Sequence, residues 1–355
     1  MSATIIGVDP HKRSHTAVVL DEAEQIAAKL RVDAGPGQVD ALLGWAPGGE
    51  RVWAIENVNG LGHLLAQQLI GRGEVVIDVT ATLSSRARKL SGHSARKTDE
   101  HDARSVVIAA AHNNRLRRVT VENNSVVLGL LLDRRWHLVA QRQRTICQLH
   151  ALLSELVPAG AARHLTSKKA AALLRRITPA SVVELERKLV ARELLEDVRW
   201  LDKRIPVAKQ RLSQALAAYG TTLTDICGIG EIGAATILSI VDDPTRFPDR
   251  GHFAAFNGTA PLEASSGDQR RHRLSRRGNR QMNKVIHVAA RTQIRSGGPG
   301  RVYYDRKLAE GKSKMEALRA LKRQLSDVIY RRLLADERAR QVVRGGQTGD
   351  KPKAA

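Results

Sequence analysis

Cysteine and aromatic residues are scarce in this 355-residue chain. Its two cysteines, Cys147 and Cys227, are too few and too far apart for a disulfide framework or a thiolate zinc site, which indicates a reducing, cytoplasmic compartment. Aromatic residues make up only 3% of the chain, which argues against a protein that grips single strands mainly by base stacking. The longest run without charged residues, 57–71, is too short to cross a bilayer, and no signal-peptide pattern opens the chain. We therefore expect no membrane partner.

Acidic residues are outnumbered: 58 Lys and Arg stand against 36 Asp and Glu, which gives a net charge of +22. A charge of this size predicts a polyanionic partner, and the shortage of aromatic residues favours contacts to phosphates. Apolar residues make up 42% of the chain, which excludes global disorder. The length predicts two domains with a helical connector.

The periodicity of apolar residues divides the chain into an α/β part and a helical part. Strands are predicted at 4–8, 15–20, 52–55 and 75–79, and helices at 61–70, 103–111 and 126–156. Leucines at three-to-four spacing between 170 and 218 predict two helices, which form either a coiled-coil arm or an ordinary helical hairpin. We predict an α/β domain over 1–155, a helical connector over 156–218, a mainly α-helical domain over 219–336 and a basic flexible tail over 337–355.

Acidic residues directly follow two of the predicted strands. Asp9 comes after the first strand, and Glu56 comes after the strand at 52–55. Because strands of one sheet end at a common edge, these carboxylates could meet, and carboxylate oxygens are ligands that Mg²⁺ prefers. Solvated acids at the start of a loop are the simpler interpretation of either residue alone.

A second acidic pair opens the helix predicted after residue 98. Asp99 and Asp102 are three residues apart and therefore project from one helix face. Thr98 is a good N-cap, and acids in a first turn also stabilise a helix with no further role. Together with Asp9 and Glu56, however, the pair would supply the four carboxylates that a two-metal phosphoryl-transfer site requires.

Three segments in this order, GVDPHK at 7–12, IEN at 55–57 and KTDEHDAR at 97–104, resemble the DEDD transposases of bacterial insertion sequences. The resemblance implies an N-terminal α/β domain of the RNase H/RuvC-like type. It also implies that Asp9, Glu56, Asp99 and Asp102 form a metal-binding tetrad for Mg²⁺.

A glycine-rich segment lies at the start of the third region. Residues 228–233 formally match GxGxxG, but no acid follows at the distance that a dinucleotide site needs. A helix-hairpin-helix is an alternative, in which Gly228 and Gly230 lie at a phosphate-binding helix N-terminus. A plain helical hairpin and a dinucleotide site stay open as further interpretations.

Six arginines lie among the 13 residues from 268 to 280. Such a cluster is expected to bind nucleic-acid phosphates. The arginines are Arg270, Arg271, Arg273, Arg276, Arg277 and Arg280. Just before the cluster, Ser265 and Ser266 either offer a nucleophile for a phosphodiester, helped by the guanidinium groups, or form a turn ahead of a solvated basic loop.

The stretch from Pro261 to Gly267, together with RGNR at 277–280, resembles the C-terminal domain of the same transposases. In that family a serine just ahead of the glycine is the nucleophile, so the resemblance implies Ser266, with Ser265 as the adjacent alternative. Asp268 follows Gly267 where many relatives have a second glycine, which is a departure from the family pattern in this turn.

The resemblance implies a recombinase that cuts and rejoins DNA through a phosphoserine linkage, with Mg²⁺ assisting. Its implied partners are donor and target DNA and a structured noncoding bridge RNA that pairs with both. The implied assembly is a tetramer built from dimers, in which two protomers complete one active site, located in the bacterial cytoplasm at the nucleoid.

Other interpretations of the residues stay open. A metal-dependent nuclease or Holliday-junction resolvase would use the same four acids with water as the nucleophile. A tyrosine recombinase would use Tyr303, Tyr304 or Tyr330 and would leave the acids unexplained. A basic nucleic-acid binder without catalysis would make the acid quartet a coincidence.

Overall fold

The computed structural model describes residues 3–90, 98–113, 116–263, 272–273 and 278–347. It divides into two compact units, Met1–Glu122 and Asn123–Ala355. The finer division proposed above, at 155, 218 and 336, stays a prediction. None of the helices in these ranges combines the length and the hydropathy that a bilayer span requires.

The first unit is built on a six-stranded mixed sheet. In chain order its elements are β1 (Thr4–Pro10), β2 (Ser14–Leu20), β3 (Ile26–Asp33), α1 (Gln38–Trp45), β4 (Arg51–Glu56), α2 (His63–Gly71), β5 (Val75–Val79), α3 (Ala81–Leu90), α4 (Asp99–Ala111) and β6 (Arg117–Arg118). The strand order is β3-β2-β1-β4-β5-β6. Strands β1, β2 and β3 are antiparallel, whereas β4 and β5 run parallel to β1. This arrangement confirms the predicted RNase H/RuvC-like class.

Strand alternation gives the sheet two different faces. Ile6 and Val8 of β1 pack with Trp53 and Ile55 of β4 in one core, together with apolar residues of α1 and α2. The intervening residues face α4, which lies across β1 and β2. A side chain at Gly7 would lie 2.5 Å from the Ala103 carbonyl oxygen, so this glycine permits the close approach of α4 to β1.

The second unit is largely helical, as predicted. Its elements are α5 (Asn124–Leu156), α6 (Ser167–Arg176), α7 (Val182–Tyr219), α8 (Glu231–Val241), α9 (Arg250–Phe256), β7 (Leu262–Glu263), β8 (His272–Arg273), α10 (Arg280–Ser296), α11 (Pro299–Ala309) and α12 (Lys314–Gln347). Its largest core joins α8, α10 and α12 around the buried Phe253, Ile286 and Ile329. Helix α12 continues to Gln347, into the segment predicted as a tail, and the Arg340 guanidinium lies over the Tyr219 ring there.

Helices α5 and α7 form a long antiparallel pair. The direction follows from their ion pairs: Arg187 Nε lies 2.7 Å from Glu155 Oε2, and Arg142 Nε lies 2.5 Å from Asp202 Oδ1. The two helices predicted between 170 and 218 correspond to α6 and α7. The apolar spacing of the helix predicted at 126–156 places Trp136 near one stripe with Ile146, Leu149 and Leu153, but in the structure Trp136 is exposed.

Candidate active site

The fold brings the two strand-end acids to one place. Asp9 is the penultimate residue of β1, and Glu56 is the last residue of β4. Because Val8 pairs with Ile55 in the parallel register, the residues that follow them stand at neighbouring positions. Alternation turns both away from the α1 and α2 core, toward the face that α4 covers.

The helical acids reach the same face because of where α4 begins. Thr98 caps the helix, as predicted, and its hydroxyl accepts a hydrogen bond from the His101 amide at 3.3 Å. The first turn of α4 therefore contains Asp99 and Asp102, and Asp102 is buried. Both acids influence the titration of Asp9, so the four predicted carboxylates share one electrostatic environment.

A histidine outside the predicted tetrad lies between two of these acids. His11 Nδ1 is 3.7 Å from Asp9 Oδ2, and His11 Nε2 is 3.7 Å from Asp99 Oδ1. One potential ligand atom from each of these three residues lies within 4.8 Å of the others. The sequence signal for His11 is its place in the GVDPHK segment, two residues after Asp9, in the turn that leads into β2.

Basic and hydroxyl groups hold the other carboxylates. Arg31 Nη1 donates to Asp99 Oδ2 at 3.2 Å, and Arg88 forms an ion pair with Asp102. The Ser84 hydroxyl donates to Glu56 Oε1 at 2.8 Å. These contacts orient three of the four acids, and none of the three partners is adjacent in sequence to the acid that it holds.

Burial raises the pKa of Asp9 to about 6. The neighbouring His11 opposes this shift, whereas the carboxylates of Glu56, Asp102 and Asp99 add to it because like charges disfavour a further anion. Asp9 is 8% exposed, so water offers its charge little compensation. A cation bound beside Asp9 would therefore favour its ionised form.

The residues around Asp9 fit a hard divalent cation. Carboxylate oxygens form most of the donor set, which is the chemistry that Mg²⁺ and Mn²⁺ favour. Thr16 lies opposite Asp9 in the antiparallel register, and its buried hydroxyl has no hydrogen-bond partner within the described ranges. A bound cation and its waters would satisfy both this hydroxyl and the repulsion among the acids.

The glycine-rich segment has a structural explanation. Gly228 has a φ of +87°, and a side chain there would lie 2.8 Å from the Ala289 Cα on α10. Gly230 is the N-cap of α8, whose first turn contains Glu231, hydrogen-bonded by the Ser213 hydroxyl at 2.7 Å. No βαβ unit surrounds Gly228 within residues 116–263, so the dinucleotide interpretation is wrong. Phosphate binding by Gly228 and Gly230 stays a prediction.

Most of the predicted nucleophile region lies outside the described residues. This applies to Ser265, Ser266, Arg270, Arg271, Arg276 and Arg277. Arg273 belongs to β8, which pairs antiparallel with β7, and Arg280 is exposed at the first position of α10. Their proposed roles on nucleic acid therefore stay predictions.

One of the alternative tyrosine nucleophiles has a structural role. Tyr330 is buried, its hydroxyl donates to the Phe247 carbonyl at 2.7 Å, and its ring stacks on Phe253. Burial also raises the pKa of Tyr330, which disfavours the phenolate. Tyr330 is therefore part of the core and not a candidate nucleophile.

A RuvC-like sheet with acids at the ends of β1 and β4 and on α4 defines a class of enzymes that cleave nucleic acid. Residues 6–158 match a DEDD family described as "Transposase", and residues 220–305 match the "Transposase IS116/IS110/IS902 family". Together the two matches cover the four predicted acids and the predicted serine and arginine segment. The chain belongs to the DEDD-type insertion-sequence transposases, and it is an enzyme that acts on DNA.

Similar proteins include products of insertion elements. The chain is 27% identical to the 44.8 kDa protein of IS116 from Streptomyces clavuligerus, over 94% of this chain and 95% of that protein. It is 26% identical to the 42 kDa protein of IS900 from Mycobacterium paratuberculosis, over 91% and 94% of the two chains. Among solved structures, Thermus thermophilus RuvC gives a TM-score of 0.25 at 14% identity, covering 33% of this chain and 99% of RuvC.

Proposed function

We propose that this transposase cuts and rejoins DNA at a divalent-metal site held by Asp9, Glu56, Asp99 and Asp102, with Mg²⁺ as the ion. The observation that supports this proposal is the shared environment of the four carboxylates around a buried Asp9 whose pKa is raised to about 6. A strongly perturbed carboxylate within a cluster of acids is typical of catalytic sites.

The protein's own groups have distinct tasks in this proposal. Bound Mg²⁺ would supply positive charge to the phosphate being cleaved. Arg31 and Ser84 hold Asp99 and Glu56 in fixed orientations, each through one carboxylate oxygen, which leaves the other oxygen for a ligand. His11, between Asp9 and Asp99, can bind a proton or offer a ring nitrogen as a metal ligand at the edge of the cluster.

Ser266 is the proposed nucleophile, with Ser265 as the adjacent alternative; the resemblance to the family supports it. The serine Oγ forms a bond to phosphorus, one bridging P–O bond of the strand breaks, and that strand end leaves as a free hydroxyl after taking up a proton. Attack by a strand-end hydroxyl on the phosphoserine reverses the same bond changes and rejoins DNA. The serine proton requires a nearby base, and the cationic surroundings of the arginine cluster favour its loss.

The proposed partners are donor and target DNA together with a structured bridge RNA, bound by a tetramer. Support comes from the resemblance and from the net charge of +22, which suits the simultaneous neutralisation of several phosphate backbones. Phosphate binding is assigned to the arginine cluster at 270–280.

Denaturing electrophoresis of labelled DNA tests the chemistry. Wild type is expected to form a covalent protein–DNA adduct in Mg²⁺, Ser266→Ala to bind DNA without forming it, and Asp9→Ala to fail at the same step. An adduct that disappears only in Ser265→Ala would move the nucleophile by one residue. Strand cleavage that survives in both serine variants would instead establish hydrolysis by water.

The partners require separate measurements. Sequencing of RNA that copurifies with the protein is expected to recover one structured species with segments complementary to the substrate DNA. Light scattering of the complex with DNA is expected to give the mass of four protomers. Purification without enriched RNA, or a complex of one protomer, would contradict these parts of the proposal.

A further inference from the structure

A buried lysine occupies the core of the second unit. Lys322 lies on α12, is 7% exposed, and donates through Nζ to Asn283 Oδ1 at 2.6 Å. Burial lowers the pKa of Lys322, because desolvation disfavours the ammonium form. An apolar residue would fill this position at a smaller desolvation cost, so the lysine calls for an explanation other than packing.

The lysine is one of three groups that set the orientation of the Asn283 amide. An ammonium group can only donate, so it requires the oxygen of the amide and turns the NH₂ group to the opposite side. There Asn283 Nδ2 donates to the carbonyl oxygens of Asn257, at 2.9 Å, and Gly258, at 3.0 Å. Lys322 thereby orients a pair of hydrogen bonds to the backbone that follows α9.

Asn257 extends the same network. It is fully buried; its Nδ2 donates to Ser326 Oγ at 2.8 Å, and its Oδ1 accepts from the Thr259 hydroxyl at 2.6 Å. Ser326 lies one helical turn after Lys322 on α12. Two side chains of α12 therefore support the segment 257–259: Ser326 binds the Asn257 side chain, and Lys322 acts on the backbone through Asn283.

This backbone forms one side of a neck, which we define as residues 256–259 and 278–279. The Asn279 amide donates to the Phe256 carbonyl at 2.7 Å. A side chain at Gly278 would collide with the backbone of Gly258, so the two sides of the neck are in direct contact. The chain leaves the neck before Pro261 and returns at Gly278, and the segment between them includes Ser265 and Ser266.

We propose that Lys322, Asn283 and Asn257 are positioning residues, which hold the neck closed and thereby fix the two points, after α9 and before α10, between which the chain carries Ser265 and Ser266. This inference rests on the serine mechanism proposed above. The network joins the core of α10 and α12 to both ends of the segment between Pro261 and Gly278. Its hydrogen bonds therefore restrict these ends without contact with the substrate. Reactions between positioned groups lose rate steeply when that positioning is lost.

Two substitutions separate orientation from simple burial. Asn283→Asp keeps an acceptor for Lys322 but replaces the donors that hold the Asn257 and Gly258 carbonyls. Lys322→Met fills similar space but leaves the buried Asn283 Oδ1 without its donor, which weakens the hold on the amide. Tyr330→Phe is the matched control, because it removes one buried hydrogen bond from α12 to the Phe247 carbonyl, which lies outside the neck.

The first measurement is amide hydrogen exchange at Thr259 and Asn279, made in the Ser266→Ala background as well as in wild type. Both test variants are expected to lose protection at these amides by about tenfold or more, the effect of one buried hydrogen bond, whereas Tyr330→Phe keeps it. Unchanged protection in both test variants would overturn the inference. This measurement needs no reaction, so its result stands whatever the outcome for the serine.

The second measurement is the single-turnover rate of adduct formation at saturating DNA, compared with the dissociation constant for DNA. Positioning predicts a rate lowered about tenfold or more with a dissociation constant within about twofold of wild type. Gly278→Ala, which forces the neck apart by a collision with the Gly258 backbone and keeps Lys322 and Asn283 unchanged, is expected to behave in the same way. A loss of protection in the neck with an unchanged rate of adduct formation would overturn the inference. An adduct formed by Ser266→Ala would instead overturn the proposed role of Ser266 as the nucleophile.

Discussion

Replacement of Asp9 by asparagine is expected to stabilise the metal-free protein at neutral pH. Asp9 is buried beside three other carboxylates, and burial is the main reason that its pKa is raised to about 6. Asparagine has nearly the shape of the protonated acid and cannot ionise. The substitution therefore removes an unfavourable buried charge and leaves the packing of β1 against α4 largely unchanged.

The magnitude follows from the shift in the pKa of Asp9 from 3.8 to about 6 on folding, which corresponds to about 3 kcal/mol. Between these pH values the folded protein retains a proton that the unfolded chain has released, so the stability of wild type falls as the pH rises. Below pH 3.8 the acid is protonated in both states and contributes no difference. The gain from Asp9→Asn should therefore develop between pH 4 and 6 and stay constant above.

Urea unfolding in EDTA, at several pH values from 4.5 to 8, measures this difference through the midpoint at constant slope. Addition of Mg²⁺ at about 100 times its dissociation constant should then stabilise wild type by about 2.7 kcal/mol, and the variant by much less. Asp197→Asn, at an exposed position on α7, is the control. A gain that does not change with pH, or a loss of stability at pH 8 in EDTA, would refute the reasoning.

Three further substitutions test other parts of the structure. Glu74 accepts two hydrogen bonds from Arg51, which lower the pKa of Glu74. Glu74→Gln should therefore destabilise the protein by about 1–3 kcal/mol at pH 7. Thermal unfolding should show that this loss becomes smaller as the pH falls below 4.5, the pKa of an unperturbed glutamate. Gly7→Ala should lower both stability and Mg²⁺ affinity in calorimetry, because it pushes α4 and its acids away from β1. Combined replacement of three arginines should weaken binding to unrelated DNA sequences and lower the salt slope by about 0.9 for each phosphate that is no longer neutralised. These are Arg270, Arg271 and Arg273.

Each of these expectations can fail in a distinct way. A loss in Glu74→Gln that is as large at pH 3 as at pH 7 would mean that the ion pair with Arg51 is not its source. Unchanged Mg²⁺ affinity in Gly7→Ala would separate α4 from the metal site. A salt slope equal to that of wild type would put the arginines away from the nucleic-acid backbone.

Two elements could be predicted closely because their apolar periodicity and their boundaries have local sequence signals. Strand β5 begins and ends where its apolar run does, and α5 begins only two residues before the predicted start, at the Asn123 cap. Strand β3 is absent from the predicted strands because charged residues such as Lys29 alternate with apolar ones, as is typical of an edge strand with one solvated face. Only the order of strands in the sheet shows that Arg31 of this strand lies beside Asp99.

The exposed position of Trp136 has a different cause. Helix α5 packs against α8 and the first part of the C-terminal core near Leu128, and against α6 and α7 near Leu149. Its buried face therefore changes along 33 residues, and one continuous stripe cannot describe it. A single periodicity for the whole helix averages over these different partners.

The four acids can be selected from the sequence because strand ends and helix starts have local signals. The residues that hold these acids have no local sequence signal. Ser84 belongs to no motif, and Arg88 reaches Asp102 only because α3 packs against α4. The same holds for Lys322 and Asn283, which are 39 residues apart. Side chains that orient other side chains depend on tertiary contacts, so a linear pattern does not reveal them.

The acid cluster and the net charge of +22 have to be reconciled within one DNA-cleaving protein. A phosphate is repelled by carboxylates, so a cluster of four can receive one only when its own charge is offset. Arg31 and Arg88 offset Asp99 and Asp102 from within the chain. Asp9 is different, because the surrounding side chains leave its pKa raised to about 6. Glu56 is held by the uncharged Ser84 hydroxyl, so the remaining need for positive charge lies at Asp9 and Glu56, and for this reason the proposed cation site centres on these two acids.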